Sequence, residues 1–142
     1  VTEPQTTFST CFGAPFMPLH PTKYAEMLSD KVEKTGVNVW LINTGWNGKK
    51  ERMSLKDTRA VINAALNGDL DNVEFKKDPY FGFEVPVAIE GVASEKLSPA
   101  TSFDSTAAYE ANAKELADKF KANFKKFEEF ATADLLAGGP TI

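Results

Sequence analysis

The hydrophobic and polar positions of this chain fall into runs of different period. Val37 to Asn43, reading Val-Asn-Val-Trp-Leu-Ile-Asn, carries no charge and is rich in β-branched and aromatic types. That composition predicts a strand buried on both faces. A loop rich in glycine and lysine follows, Thr44-Gly45-Trp46-Asn47-Gly48-Lys49-Lys50-Glu51-Arg52. From Ser54 the period becomes helical. Leu55, Ile62 and Leu66 share one face with Val61 and Ala65 beside them, Ser54 and Asp57 make a capping-box-like start, and Asn67-Gly68 stops the helix. Upstream, His20-Pro21 opens a helix that ends before Gly36, with Tyr24, Met27, Leu28 and Val32 on one stripe.

Downstream, Phe81, Phe83, Val85 and Val87 alternate with Gly82, Glu84 and Pro86. This predicts an edge strand, because Pro86 cannot donate to a ladder. A last helix is expected from Ser105 to Phe130, with Tyr109, Ala113, Leu116, Phe120, Phe124 and Phe127 three or four apart. That spacing suits a core or docking stripe, and a core Phe120 would cost ~3 to 5 kcal/mol on truncation to alanine. Val1 to Thr7 reads as extended or mobile chain, Phe8 to Leu19 as buried irregular chain with a short strand, Asp69 to Asn72 as a turn, Ile89 to Phe103 as loop, and residues 131–142 as a tail. No repeat or linker interrupts the chain, so residues 1–142 are expected to form one α/β unit with the Val37 to Asn43 strand central and helices packed on it.

Strand, glycine loop, basic residues and helix is the order in which α/β proteins present an anion or nucleotide site beyond the carboxyl end of a strand. It is equally the order of an ordinary solvated loop. The stretch is not a Walker loop: two residues separate Gly45 from Gly48, and Lys50 stands where a Ser or Thr would ligate Mg²⁺. Asp69-Leu70-Asp71-Asn72 lacks the glycine and distant glutamate of a calcium loop. With 42% apolar residues, 25% charged residues and a net charge of -4, the chain has no polybasic run for nucleic acid or an anionic membrane. No apolar stretch approaches a membrane span. A single cysteine, Cys11, excludes an internal disulfide framework and fits a reducing compartment; it reads as packed apolar rather than nucleophilic. His20, the one histidine, has no second ligand at metal spacing and reads as structural.

Two collinear stretches carry a family resemblance. They are Thr7-Phe8-Ser9-Thr10-Cys11-Phe12-Gly13-Ala14-Pro15-Phe16 with Leu19-His20-Pro21-Thr22-Lys23-Tyr24-Ala25-Glu26, and Asn43-Thr44-Gly45-Trp46 through Arg52-Met53-Ser54-Leu55-Lys56-Asp57-Thr58-Arg59 to Ala64-Ala65-Leu66-Asn67-Gly68. Together they resemble the carboxyl-terminal part of ATP-dependent phosphoenolpyruvate carboxykinase, strongly over residues 1 to 99 and only in character over the last helix. The resemblance implies the carboxyl-terminal portion of that family's mononucleotide-binding domain, with residues 1–8 closing an active-site lid. It further implies a cytoplasmic lyase of gluconeogenesis and anaplerosis that converts oxaloacetate and ATP to phosphoenolpyruvate, ADP and CO₂ with Mg²⁺ and Mn²⁺.

The family's phosphate loop, metal ligands and substrate arginines are not in this sequence, so these residues alone are expected to be inactive and to work with the remainder of the same enzyme. In the family, the positions matching Arg52, Met53 and Thr58 contact ATP. Those types suit a base, since a guanidinium stacks on a ring, a thioether covers it and a hydroxyl bonds its edge. The chain departs from the family pattern at Lys49-Lys50-Glu51, where a second glycine and a basic residue are usual before the arginine, and at Pro99-Ala100-Thr101, where an arginine commonly follows the proline. The rival reading is a non-enzymatic α/β module that binds a nucleotide or a protein.

Overall fold

The computed structural model describes residues 7–9 and 13–142. Residues 1–6 and 10–12, which hold most of the expected lid end and Cys11, lie outside the described residues. The secondary structure is mixed: four α-helices, several 3-10 turns and a two-stranded sheet among the described residues. The chain divides into two compact units, Val1–Val39 with Ala122–Ala137, and Trp40–Lys121 with Gly138–Ile142.

In the first unit, α1 spans Pro21–Thr35. Proline at the first position has no N–H to leave unsatisfied, and Gly36 closes the other end, its N–H donating to the Val32 carbonyl at 2.8 Å. Both limits are those expected. The helix buries no residue, however, and Met27 and Leu28 are exposed. The described residues of the segment before it also differ from expectation: Ala14–Phe16 is a 3-10 turn rather than buried chain, with Phe16 88% exposed. The His20 ring lies 5.9 Å from that of Phe127, edge-on, and 4.6 Å from that of Phe130. A short helix, α4, spans Ala133–Ala137.

The second unit holds the core. Helix α2, Leu55–Asn67, contributes Val61 and Ala64; Leu70 comes from the 3-10 turn Asp69–Asn72, and Ile89 and Val92 from the following loop. Trp40, Met53, Ala60, Val73 and Leu97 pack around them. Gly68 ends α2 at φ 78°, a left-handed conformation that glycine adopts without strain. Strand β1, Phe75–Lys77, pairs antiparallel with β2, Glu84–Pro86, so that Phe75 faces Pro86. The expected edge strand is thus present, shortened to three residues. Asp78 closes the hairpin, its Oδ1 accepting from the N–H groups of Tyr80 and Phe81 at 2.9 and 2.7 Å. Helix α3 runs Thr106–Phe124 and gives way to a 3-10 stretch at Lys125–Phe130, where one continuous helix was expected. Tyr80 meets Tyr109 edge-on, and the N–H of Thr141 donates to the Tyr80 carbonyl at 2.8 Å.

Three further expectations need correction. Val37 to Asn43 forms no strand: it joins no ladder, and Leu41 is 77% exposed. A central strand needs a bonded neighbour on each edge, and among the described residues β1 and β2 pair only with each other. Helix α2 is apolar on opposite sides. Leu55, Ile62 and Leu66, the expected apolar face, are exposed, while Val61, expected beside it, and Ala64 are buried. Of the α3 stripe, Ala113 is buried, as is Ala117 outside it, whereas Phe120 is 44% exposed.

Candidate functional site

The loop between Trp40 and α2 is a tight hairpin. Its sequence signal is Asn47-Gly48, the dipeptide that favours hairpin turns. The Lys50 N–H donates to the Asn47 carbonyl at 3.0 Å, the Asn47 N–H donates to the Glu51 carbonyl at 2.9 Å, and Trp46 and Arg52 face each other across an antiparallel bridge. Lys50 takes φ 60°, the left-handed residue that three-residue hairpin loops require. The Asn47 side chain organises the turn, since its Oδ1 accepts from the N–H groups of Lys49 and Glu51, both at 2.9 Å. Glu51 belongs to the same network: its carboxylate accepts from Asn47 Nδ2 at 3.3 Å.

The hairpin leads directly into the amino end of α2. Ser54 caps the helix, its Oγ accepting from the Asp57 N–H at 3.1 Å and donating to Asp57 Oδ2 at 2.6 Å. Lys96 Nζ, from a 3-10 turn at Ser94–Lys96, donates to the same carboxylate oxygen at 2.7 Å. Asp57 is 5% exposed, the one buried polar residue among the described residues. The Lys96 ammonium, and after it the Ser54 hydroxyl, hold its carboxyl below the ordinary carboxylate range against the opposing effect of burial.

Between hairpin and helix lies an open cleft of about 310 Å³ lined by Thr44, Arg52, Met53, Leu55 and Thr58. All three residues singled out from the sequence therefore stand on one cleft, joined by Thr44 and Leu55. Arg52 places its guanidinium over the Trp46 ring, 5.9 Å from the centroid, and among the described residues it pairs with neither Glu51 nor Asp57. The cleft combines two apolar side chains, a planar cation and two hydroxyls. That set suits a flat heteroaromatic group with polar edges.

The chain matches the family model described as phosphoenolpyruvate carboxykinase over residues 1–95. It belongs to the ATP-dependent phosphoenolpyruvate carboxykinase family. It is 59% identical over 144 residues to the phosphoenolpyruvate carboxykinase (ATP) of Flavobacterium johnsoniae and 52% identical over 144 residues to that of Christiangramia forsetii, covering 99% of this chain in both. The Rhizobium rhizogenes carboxykinase is 49% identical over 146 residues and covers 100% of the chain. The chain spans 27% of the length of these carboxykinases.

The two stretches that depart from the expected pattern both lie in turns. Glu51 is held within the hairpin by Asn47, and Lys50 supplies the left-handed turn that a glycine would otherwise supply. Pro99-Ala100-Thr101 lies in a 3-10 turn at Pro99–Ser102, whose Ser102 Oγ accepts from the Gly48 N–H at 2.9 Å. Asn47, Lys96 and Ser102 escaped the reading of the sequence. Asn47-Gly48 was a local signal for the first, whereas nothing near Lys96 or Ser102 announces a contact 39 or 54 residues away. Among the described residues no three of His, Cys, Asp or Glu gather in a group that could hold a metal ion, and no helix is long and apolar enough to cross a membrane.

Proposed function

We propose that these residues form the adenine side of the ATP site in a cytoplasmic carboxykinase that converts oxaloacetate and ATP to phosphoenolpyruvate, ADP and CO₂. The observation that carries this reading is the shared cleft: Arg52, Met53 and Thr58, remote in chemistry, line one surface with Thr44. The Arg52 guanidinium already lies over one aromatic ring, 5.9 Å from the Trp46 centroid, and the same planar cation is suited to stack on a purine. Met53 supplies polarisable contact and the threonine hydroxyls supply bonds to base edges.

Decarboxylation of oxaloacetate leaves an enolate whose oxygen accepts the γ-phosphoryl group while ADP departs. Such a transfer is governed by positioning and by cations around the phosphates. In this reading the phosphate loop and the ligands of Mg²⁺ and Mn²⁺ come from other parts of the enzyme, and this chain contributes recognition of the base. The 142 residues alone then form no phosphoenolpyruvate.

The test is Arg52→Ala in the complete enzyme. ATP affinity should fall by ~1 to 2 kcal/mol through lost stacking, with oxaloacetate affinity nearly unchanged. Titration calorimetry with each ligand reads both. An Arg52→Ala enzyme that binds ATP as tightly as the parent would remove Arg52 from the site and leave the hairpin as scaffold.

A further inference from the structure

The segment from Ser94 to Ser102 touches the hairpin and helix cap at two points. Lys96 reaches the buried Asp57 carboxylate at the amino end of α2, adjacent to Thr58. Ser102 accepts from the backbone N–H of Gly48 at the hairpin tip. At that second point the approach is close enough to require glycine: a Cβ on Gly48 would lie 2.7 Å from the Phe103 ring and 2.8 Å from the Ser102 carbonyl oxygen. The hairpin carrying Arg52 and the cap leading to Thr58 are therefore fastened to one short segment, from two directions.

We infer that Lys96 is a positioning residue for the nucleotide site, acting through Asp57 and together with Ser102 to hold the cleft in its base-binding shape before ATP arrives. This rests on the base-site reading above and extends it to a residue that does not line the cleft. The physical reason lies in the geometry of the cap. Asp57 accepts from both Ser54 and Lys96 on one oxygen, so losing Lys96 leaves a nearly buried carboxylate supported by a hydroxyl alone. The first turn of α2 would then relax toward water, carrying Thr58 away from Arg52. Preorganised sites lose affinity when the ligand must do the ordering.

The experiment uses the complete enzyme with Lys96→Met, Lys96→Arg and Ser102→Ala, titrated separately with ATP and with oxaloacetate. Lys96→Met should raise the ATP Kd about fivefold and Ser102→Ala about twofold, with oxaloacetate unchanged. Lys96→Arg, which keeps a cation within reach of Asp57, should restore ATP binding. The control is Lys119→Met, which breaks an exposed pair with Glu115 of similar length, 2.6 Å, and should leave ATP binding alone. Equal losses for ATP and oxaloacetate, or no recovery with Lys96→Arg, would show a general structural role and overturn the proposal. If Arg52→Ala weakens ATP and neither Lys96→Met nor Ser102→Ala does, the positioning role falls while the base site stands. If none of the three has an effect, the base-site reading fails and this inference with it.

Discussion

Gly48→Ala is the sharpest perturbation of the hairpin. The added methyl would sit 2.7 Å from two Phe103 ring carbons and 2.8 Å from the Ser102 carbonyl oxygen, where ordinary contacts begin near 3.4 Å. The ring can swing aside; the carbonyl oxygen is backbone and can move only with its turn. Hairpin and turn must therefore separate by several tenths of an ångström, and the bond from the Gly48 N–H to Ser102 Oγ lengthens with them. Overpacking of this kind costs ~1 to 3 kcal/mol, and a solvent-exposed hydrogen bond adds only a fraction of that, so about 2 kcal/mol is expected. Hydrogen exchange in the complete enzyme reads the loop directly. Protection at the Gly48, Lys50 and Glu51 amides should fall about thirtyfold, while the β1 and β2 amides keep theirs. Gly13→Ala is the matched control, because a Cβ there meets nothing within 4 Å. Unchanged protection in Gly48→Ala would refute the docking of hairpin on turn.

Two other outcomes follow from burial and charge. Leu70→Ala should destabilise by ~2 to 3 kcal/mol on urea titration, the low end for a buried leucine because its site borders an open cavity that water can enter, whereas half-exposed Phe120→Ala should cost ~1 kcal/mol. The Asp57 carboxyl is held below its ordinary value of 3.8 in the folded protein, so its contribution to stability is complete above that value and is lost as pH falls through the lower, folded one. Thermal melts between neutral pH and about pH 3 should show this acid loss in the parent and a shallower one in Asp57→Asn, and equal slopes would contradict the pairing.

Helix ends were legible because capping is local chemistry. His20-Pro21 with Gly36, and Ser54 with Gly68, sit where the chain starts and stops its helices. The faces were not legible. Leu55, Ile62 and Leu66 make as good a periodic stripe as Val61 and Ala64, and periodicity alone does not say which one the core covers. The same limit applies to Val37 to Asn43, whose uncharged composition fits a buried strand but cannot supply the neighbours a strand needs. Arg52, Met53 and Thr58 were named through the family motif. Their shared cleft depends on the Asn47 turn and the Ser54 cap, both local, and its support by Lys96 and Ser102 depends on contacts that sequence spacing does not encode.

The claim that the hairpin and the start of α2 receive the base is tested most directly by covalent labelling. An ATP analogue bearing an azide on its adenine, photolysed on the complete enzyme and followed by peptide mapping, should mark residues between Thr44 and Thr58, and excess ATP should abolish the label. Labelling confined to other parts of the enzyme, with this peptide unmarked, would contradict the account.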